Sequence, residues 1–372
     1  MNKPQLRIGL IGSGFMGKTH IFGFATAARV FDLPVRIELE CIADATPELA
    51  RAAMSRYGFR RHADSWEELA ADPGIDVLDI TAPNALHRPM AIAGLAAGKH
   101  IYCEKPLAVD VTEATEMTKA AELAGVKTQV GFNYLANPMF RLAKKLISEG
   151  RIGEIRSFRG IHAEDYMADR AAPWSWRHDS RGGGATADLG SHIIATAEYL
   201  IGPIIGVCGD MHTAIQERRT SEGSEVRVNV DDVGRAFLRF ENGASGSIEA
   251  NWMASGQKMQ HAFEIYGSDG AITFDQNRLN ELRLHETGTD GRTEGFRTLL
   301  AGPEHAPYGE FCVAPGHQLG YNDLKAIEIR DFIEAIAEER SEPFNFAAGL
   351  RIQRLVEAIK DSTMRARWTD FT

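Results

Sequence analysis

Leu6-Arg7-Ile8-Gly9-Leu10-Ile11-Gly12-Ser13-Gly14-Phe15-Met16-Gly17 decides the fold of this chain. The first six residues read as a buried strand, the next six fit G-x-G-x-x-G, and Lys18 to about Val30 reads as a helix. Glycines in a strand–turn–helix setting are far more specific than the bare spacing. Gly12 allows the tight turn, Gly14 lets the backbone approach a pyrophosphate, and Gly17 lets helix pack on strand. The helix N-terminus offers N–H groups and the positive end of its dipole to the phosphates, with Ser13, Phe15 and Met16 completing the loop. A tight turn without a ligand is the plain alternative.

Outward from this loop, the strand Ile37–Ala43 ends at Asp44, where a dinucleotide fold needs an acid for the adenosine ribose hydroxyls. Asp44 lies further from the glycines than the usual spacing of about 20 residues, which an extended loop through Phe31 to Val35 accounts for. Ala45 follows, neither Arg nor Ser, so nothing obvious welcomes a 2′-phosphate and NAD is expected over NADP. Thr46-Pro47-Glu48 also fits a helix start with Pro in the first turn, and both readings can hold together. A short helix (Trp66–Ala71) and a buried strand (Asp76–Ile80) lead into Thr81-Ala82-Pro83-Asn84-Ala85-Leu86-His87. Polar groups at a strand's C-terminal end are where an open α/β sheet binds its ligand; a plain turn and helix cap is the alternative. A helix (Pro89–Ala97) and strand (Lys99–Cys103) then deliver Glu104-Lys105-Pro106. A lysine at a strand end in the cofactor crevice can polarise a substrate hydroxyl, although a lysine before proline is also an ordinary solvated charge. The helix Thr112–Gly125 and the strand Thr128–Phe132 close a first domain over 1–132, and the strand–helix alternation predicts a parallel, doubly wound sheet.

From Asn133 the texture changes. A helix (Met139–Glu149) and a half-buried strand (Ile155–Ile161) precede several antiparallel strands: Ile204–His212, Asp232–Phe240, Ala244–Trp252, Ala262–Tyr266 and Ala271–Phe274. A second domain, 133–372, is therefore expected to be α+β, on a large, mostly antiparallel open sheet. Its closing helices, Leu324–Glu338 and Ala348–Met364, are free to pack back on the first domain. The stretch from Gly288-Thr289-Asp290-Gly291 to Tyr308 reads as irregular. Beyond the run Gly182-Gly183-Gly184 comes Ala187-Asp188-Leu189-Gly190-Ser191-His192. If Leu189–Leu200 is helical, Asp188 and His192 share a face about 5–6 Å apart and can grip one hydroxyl. An N-cap aspartate beside a satisfied histidine is the alternative. Ile161-His162-Ala163-Glu164-Asp165-Tyr166 mixes possible metal ligands, but a strand alternates their faces; polar surface and pocket rim are expected there, and no metal.

Composition is that of an ordinary globular protein, 44% apolar and 25% charged over 372 residues, a length that suggests about two domains. A net charge of −10 gives no basic footprint for nucleic acid, and no apolar run is long enough to span a bilayer. The opening residues lack the features of a signal peptide, so a cytoplasmic location is expected. Cys41, Cys103, Cys208 and Cys312 show no metal-ligand spacing; Cys41 and Cys103 fall inside strand patterns and are expected as buried free thiols.

Gly12-x-Gly14-x-x-Gly17, the Thr81–His87 turn, Glu104-Lys105-Pro106, Gly131-Phe132-Asn133-Tyr134 and Asp188-Leu189-Gly190-Ser191-His192 occur together in one order. On these the chain resembles, over essentially its whole length, the glucose–fructose oxidoreductase / inositol dehydrogenase / rhizopine-catabolism family. The resemblance implies an N-terminal Rossmann domain, a C-terminal domain whose open sheet often builds oligomers (here a homodimer or homotetramer), and an NAD-dependent dehydrogenase of a cyclic polyol or sugar. Lys105, Asp188 and His192 match the family's catalytic positions. His192 would accept the hydroxyl proton, Lys105 stabilise the alkoxide, and Asp188 orient the substrate. The resemblance puts Gly12 to Gly17, Asp44, Thr81, Ala82, Asn84, His87, Glu104, Lys105, Asn133 and Arg177 on the cofactor side. It puts Lys105, Tyr134, Tyr166, Arg177, Asp188, His192 and His317 on the substrate side. Two positions depart from the family pattern: Ala195, where an acid often follows the histidine by three, and Leu135, where Arg often follows Asn-Tyr. Within the family, Trp174-Ser175-Trp176-Arg177, Gly295-Phe296-Arg297 to Glu310 and Gly320-Tyr321 are most similar to dehydrogenases of inositols (scyllo- or myo-inositol) and of pyranose-like sugars (glucose, L-glucose, levoglucosan), which yield a ketone or lactone. An NAD-dependent glycosidase, a keto-sugar reductase and an idle NAD-binding sensor stay open, although intact Lys105, Asp188 and His192 argue against the sensor.

Overall fold

The computed structural model describes residues 3–288, 291–340 and 343–371. The chain divides into two compact units: one runs to Ala136 and adds Gly320–Gln353, and the other holds Asn137–Leu319 and the chain from Arg354 on. The sequence reading gives 133–372 to one domain, so the division differs by this inserted return of the chain to the first unit.

In the first unit the elements are β1 (Gln5–Ile11), α1 (Phe15–Val30), β2 (Arg36–Ala43), α2 (Pro47–Tyr57), β3 (Arg61–His62), α3 (Trp66–Ala71), β4 (Val77–Ile80), α4 (His87–Ala96), β5 (His100–Cys103), α5 (Val111–Ala124) and β6 (Thr128–Val130). The strands form one parallel sheet in the order β3-β2-β1-β4-β5-β6, so the order reverses direction beside β1. That switch point is where such sheets bind ligands. Local chemistry explains the helix ends. Thr46, Ser65 and Asp110 accept the N–H of Leu49, Glu68 and Glu113 as N-caps, and Gly58 and Gly125 end α2 and α5 at φ 79° and 64°. Cys41 and Cys103 are buried free thiols, as their strand patterns predict.

The second unit contains α6 (Pro138–Ser148), β7 (Ile155–Ala163), α7 (Ser191–Leu200), β8 (Ile204–His212), β9 (Glu217–Arg219), β10 (Glu225–Arg227), β11 (Val233–Phe240), β12 (Ser245–Asn251), β13 (Gln260–Gly267), β14 (Gly270–Asp275), β15 (Glu281–Glu286), β16 (Arg297–Leu300) and α8 (Tyr308–Phe311). The chain then supplies α9 (Tyr321–Ala337) to the first unit, passes through α10 (Phe346–Arg365), and adds β17 (Thr369–Asp370) to the second. The large sheet runs β16-β15-β14-β13-β7-β12-β11-β8-β17, with every pairing antiparallel except β7 with β12. The stretch read as irregular holds β16 and ends on the first residue of α8, while its Thr289 and Asp290 lie outside the described residues. β9 and β10 form a separate small hairpin that the strand reading passed over, because three-residue strands carry no period.

Ahead of α7 the chain makes a π-helical turn, Thr186–Gly190, so the helix begins earlier and wider than its apolar spacing predicts. Asp231 holds the start of this turn: its Oδ2 accepts the Thr186 N–H at 2.9 Å and the Thr186 hydroxyl at 2.6 Å. Among the described residues no helix is long and apolar enough to cross a membrane.

Candidate active site

At the end of β1, Gly12 turns with φ 94°, a left-handed value glycine adopts without strain. The Thr81 hydroxyl, expected at the cofactor, braces this turn by donating to the carbonyls of Ile11 (2.9 Å) and Gly12 (2.7 Å). Gly17 lies so close that a Cβ there would fall 1.9 Å from the Gly12 carbonyl oxygen, whereas a Cβ on Gly14 would meet nothing within 4 Å. Gly14 also begins α1 with no side chain capping it, so the first N–H groups of the helix face that open space. Ser13 donates its N–H to Asp44 at 2.8 Å, which fixes the acid at the end of β2 against the glycine loop. Asn133 is 2% exposed, in the turn after β6. An open cradle under bare N–H groups and an acid at the second strand's end fit a dinucleotide.

Other expected cofactor residues also brace the fold. Both ring nitrogens of buried His87 sit at backbone carbonyls, Ala82 at 2.9 Å and Pro106 at 3.0 Å, so the ring struts two turns together. Asn84 is buried in a short 3₁₀ turn ahead of α4. The Glu104 carboxylate points into the protein, not outward. Its Oε1 is 2.8 Å from His20 Nε2 and 3.0 Å from Lys325 Nζ, and its Oε2 accepts the Lys105 N–H at 3.2 Å. Asp79, Tyr102 and Glu328 complete this cluster, all of them buried. Burial opposes charge on His20, but Asp79 and Glu104 outweigh it and raise its pKa. Burial likewise works against the Glu104 carboxylate, yet Lys325 and His20 hold it well below the usual range. Sequence reasoning missed the cluster: His20 sits in an apolar helix pattern, and Lys325 with Glu328 looks like a solvated surface pair. Tyr134 is buried, with its ring edge-on to Tyr321 at 6.1 Å.

In the second unit Asp188 sits in the π turn and His192 in the first turn of α7. Tyr166 donates its hydroxyl to Asp188 Oδ2 at 2.8 Å, and Arg177 Nε lies 3.5 Å from the same oxygen. The Arg177 guanidinium stacks over Trp176 at 4.4 Å, which holds its plane. The structure thus gathers Tyr166, Arg177 and Asp188 into one group. His317 does not join it: its exposed ring lies 3.2 Å from the Ala314 carbonyl, in a loop closed by the Tyr308 hydroxyl. His192 is 6% exposed, with its ring centroid 5.4 Å from His162 and 6.3 Å from His261. The reading of 161–166 as polar surface and pocket rim is corrected at His162, while Glu164 and Asp165 are partly exposed and Tyr166 is exposed. His162 is 1% exposed because β7 is an inner strand and alternation puts His162 on the buried Phe158 face. The same alternation, with Phe263 and Ile265, could have placed His261 inside. Ala195, at the departing position, is buried in α7, and Leu135 is buried in the turn after β6.

Two family models match the chain: "Oxidoreductase family, NAD-binding Rossmann fold" over residues 6–132 and "GFO/IDH/MocA C-terminal domain" over 140–273. Levoglucosan dehydrogenase of Pseudarthrobacter phenanthrenivorans is 41% identical, with 98% of each chain covered. A solved levoglucosan dehydrogenase, in complex with NADH and levoglucosan, superposes with a TM-score of 0.96 at 40% identity, covering 99% of each chain. The scyllo-inositol 2-dehydrogenase (NAD(+)) of Bacillus subtilis is 25% identical over 89% of this chain and 86% of its own. Glycine cradle, parallel sheet, large open sheet and whole-length likeness agree: the chain belongs to the GFO/IDH/MocA oxidoreductase family and is an NAD-dependent enzyme.

Proposed function

We propose that the protein oxidises a secondary hydroxyl of a pyranose-like sugar or cyclic polyol, with levoglucosan the first candidate. The observation that carries this reading is the 41% identity to levoglucosan dehydrogenase across 98% of both chains. It is supported by the Tyr166–Asp188–Arg177 group, which offers one charged acceptor between two donors to a hydroxylated ligand. NAD, when bound, takes the hydride from the hydroxyl-bearing carbon. Gly12 to Gly17 would hold its phosphates and Asp44 its ribose. In this reading His192 accepts the hydroxyl proton, a step typically worth about 10²–10⁴-fold. Lys105 donates to the alkoxide as charge grows there, and Asp188 fixes the hydroxyl toward the base. Tyr166 and Arg177 hold Asp188 oriented.

The 133–372 half would provide the substrate residues other than Lys105, and the association surface. A cavity of about 1010 Å³ lies on its sheet face, lined among others by Arg159, Phe237, Glu249 and Arg283, and none of the candidate site residues lines it. Phe237 is 63% exposed there, which suits burial against a second copy in a homodimer or homotetramer. Sedimentation equilibrium tests this, and a monomer at micromolar concentration would refute it.

The test of function is NADH formation with NAD or NADP on levoglucosan, myo-inositol, scyllo-inositol, glucose and L-glucose. A rate on levoglucosan with NAD, and little with NADP, is expected. Silence across the panel, with turnover of a keto-sugar by NADH, would reverse the direction; product formation without net NADH would replace the dehydrogenase by a glycosidase.

A further inference from the structure

The Glu104 carboxylate divides its two oxygens between different tasks. Oε1 faces the interior, where His20 Nε2 from α1 and Lys325 Nζ from α9 reach it at 2.8 and 3.0 Å. Oε2 takes the main-chain N–H of Lys105 at 3.2 Å. The groups behind Oε1 are buried and tied to one another. His20 Nδ1 lies 2.9 Å from Asp79 Oδ1, and Lys325 uses its remaining donors on Glu328 (2.7 Å) and the Tyr102 hydroxyl (3.0 Å). On the β6 side, a Cβ at Gly131 would sit 2.4 Å from Glu104 Oε1, so the carboxylate occupies space that only a glycine there leaves open. Two cations therefore hold an anion that in turn holds the backbone of the residue assigned to the alkoxide. On its far side the same turn is braced by His87 through the Pro106 carbonyl.

We propose that Lys325, together with His20, is a positioning residue for Lys105, acting through the divided carboxylate of Glu104. This rests on the assignment of Lys105 made above. Lys325 Nζ is held by Glu104, Glu328 and the Tyr102 hydroxyl. It acts by keeping Glu104 ionised and in place, so that the Lys105 side chain leaves from a fixed main chain. Supporting groups of this kind keep reacting groups within about 0.5 Å of productive geometry, and a shift of about 1 Å can cost on the order of 10²-fold in rate. Because the alkoxide contact strengthens in the transition state, the loss falls on kcat.

Three variants of the full chain test this: Lys325→Met, the charge-balanced pair Glu104→Gln with Lys325→Met, and Lys105→Met. The readouts are kcat and KM on levoglucosan (or the panel sugar with the highest rate), NAD affinity by fluorescence titration, and melting temperature. Lys325→Met is expected to melt lower and lose about 10²-fold in kcat, with KM and NAD affinity within about threefold of the parent. The pair removes both buried charges, so its melting temperature should return toward the parent while kcat stays low. A pair that recovers kcat along with its melting temperature overturns the proposal, because the cluster is then only structural. If Lys325→Met does not fold, the folded pair decides by the same comparison. If Lys105→Met keeps the parental kcat, the Lys105 assignment fails and this inference with it. If Lys105→Met is inactive and the pair is active, only this inference fails.

Discussion

Gly14 and Gly17 lie three residues apart in one loop, yet alanine should affect them in opposite ways. At Gly14 the backbone has φ −64° and ψ −161°, a conformation any residue adopts, and a new Cβ would meet nothing within 4 Å. Alanine is a poorer N-cap by about 0.5–1 kcal/mol, but it stiffens the unfolded chain by about 0.4–1 kcal/mol, so the two effects nearly cancel. Gly14→Ala should therefore melt within about 2 °C of the parent. Its methyl, however, occupies the space under the bare N–H groups. Losing one charge-assisted hydrogen bond of about 1.5–3 kcal/mol weakens NAD binding roughly 10–150-fold. At Gly17 the new Cβ would fall 1.9 Å from the Gly12 carbonyl oxygen and 3.0 Å from the Thr81 hydroxyl. Backbone meets it, so no side chain can turn aside, and overpacking of about 1–3 kcal/mol is expected, roughly 2–12 °C of melting temperature. Thermal melting paired with fluorescence titration of NADH separates the two effects. A Gly14→Ala protein that binds NADH within twofold of the parent would refute the placement of the phosphates.

Asp44→Ala should weaken NAD binding at least about tenfold, through loss of a charge-assisted hydrogen bond; an unchanged dissociation constant in calorimetry would remove the reason to prefer NAD over NADP. His192→Ala should abolish turnover and leave NAD affinity nearly unchanged, which stopped assays and titration read separately. Burial pushes the Asp231 carboxyl up to about 6, above its ordinary 3.8, so the folded protein binds the proton more tightly than the unfolded chain. The stability tied to that proton is complete below about pH 4 and is lost as pH rises toward and through 6. Asp231→Asn should therefore gain on the parent, by up to about 3 kcal/mol, in denaturant unfolding at pH 7.5 and little at pH 4; a gain of equal size at both would refute the linkage.

The parallel half was legible in most of its elements, because its central strands are buried on both faces and three of its helices carry side-chain caps, while the two-residue β3 escaped the reading. Thr46, Ser65 and Asp110 announce their helices, and Trp66–Ala71 is found where its pattern places it. The antiparallel strands were legible in core and blurred at their ends: β13 begins at Gln260, two residues before the reading, which hid His261 from view. The site was readable in its motif residues and opaque in their support. Nothing in a sequence distinguishes Lys325 and Glu328 from a solvated i,i+3 pair until α1 packs on α9. A Cβ at Gly23 would come within 2.7 Å of Ile329 and 2.9 Å of Lys325, so contact between distant segments, absent from local pattern, buries those charges.

The wide turn at Thr186–Gly190 sets a limit on how this protein can be improved. A regular α-helix would accommodate the same span with one residue fewer and better hydrogen-bond geometry. Removing Leu189 to reach it would also rotate everything upstream by about 100° relative to His192, carrying Asp188 away from Tyr166 and Arg177. Heat tolerance and turnover therefore pull this segment in opposite directions. Selection of variants for survival at high temperature alone should favour shortened versions of 186–190 that are hardier than the parent and chemically silent, while selection for growth on the substrate should keep the extra residue.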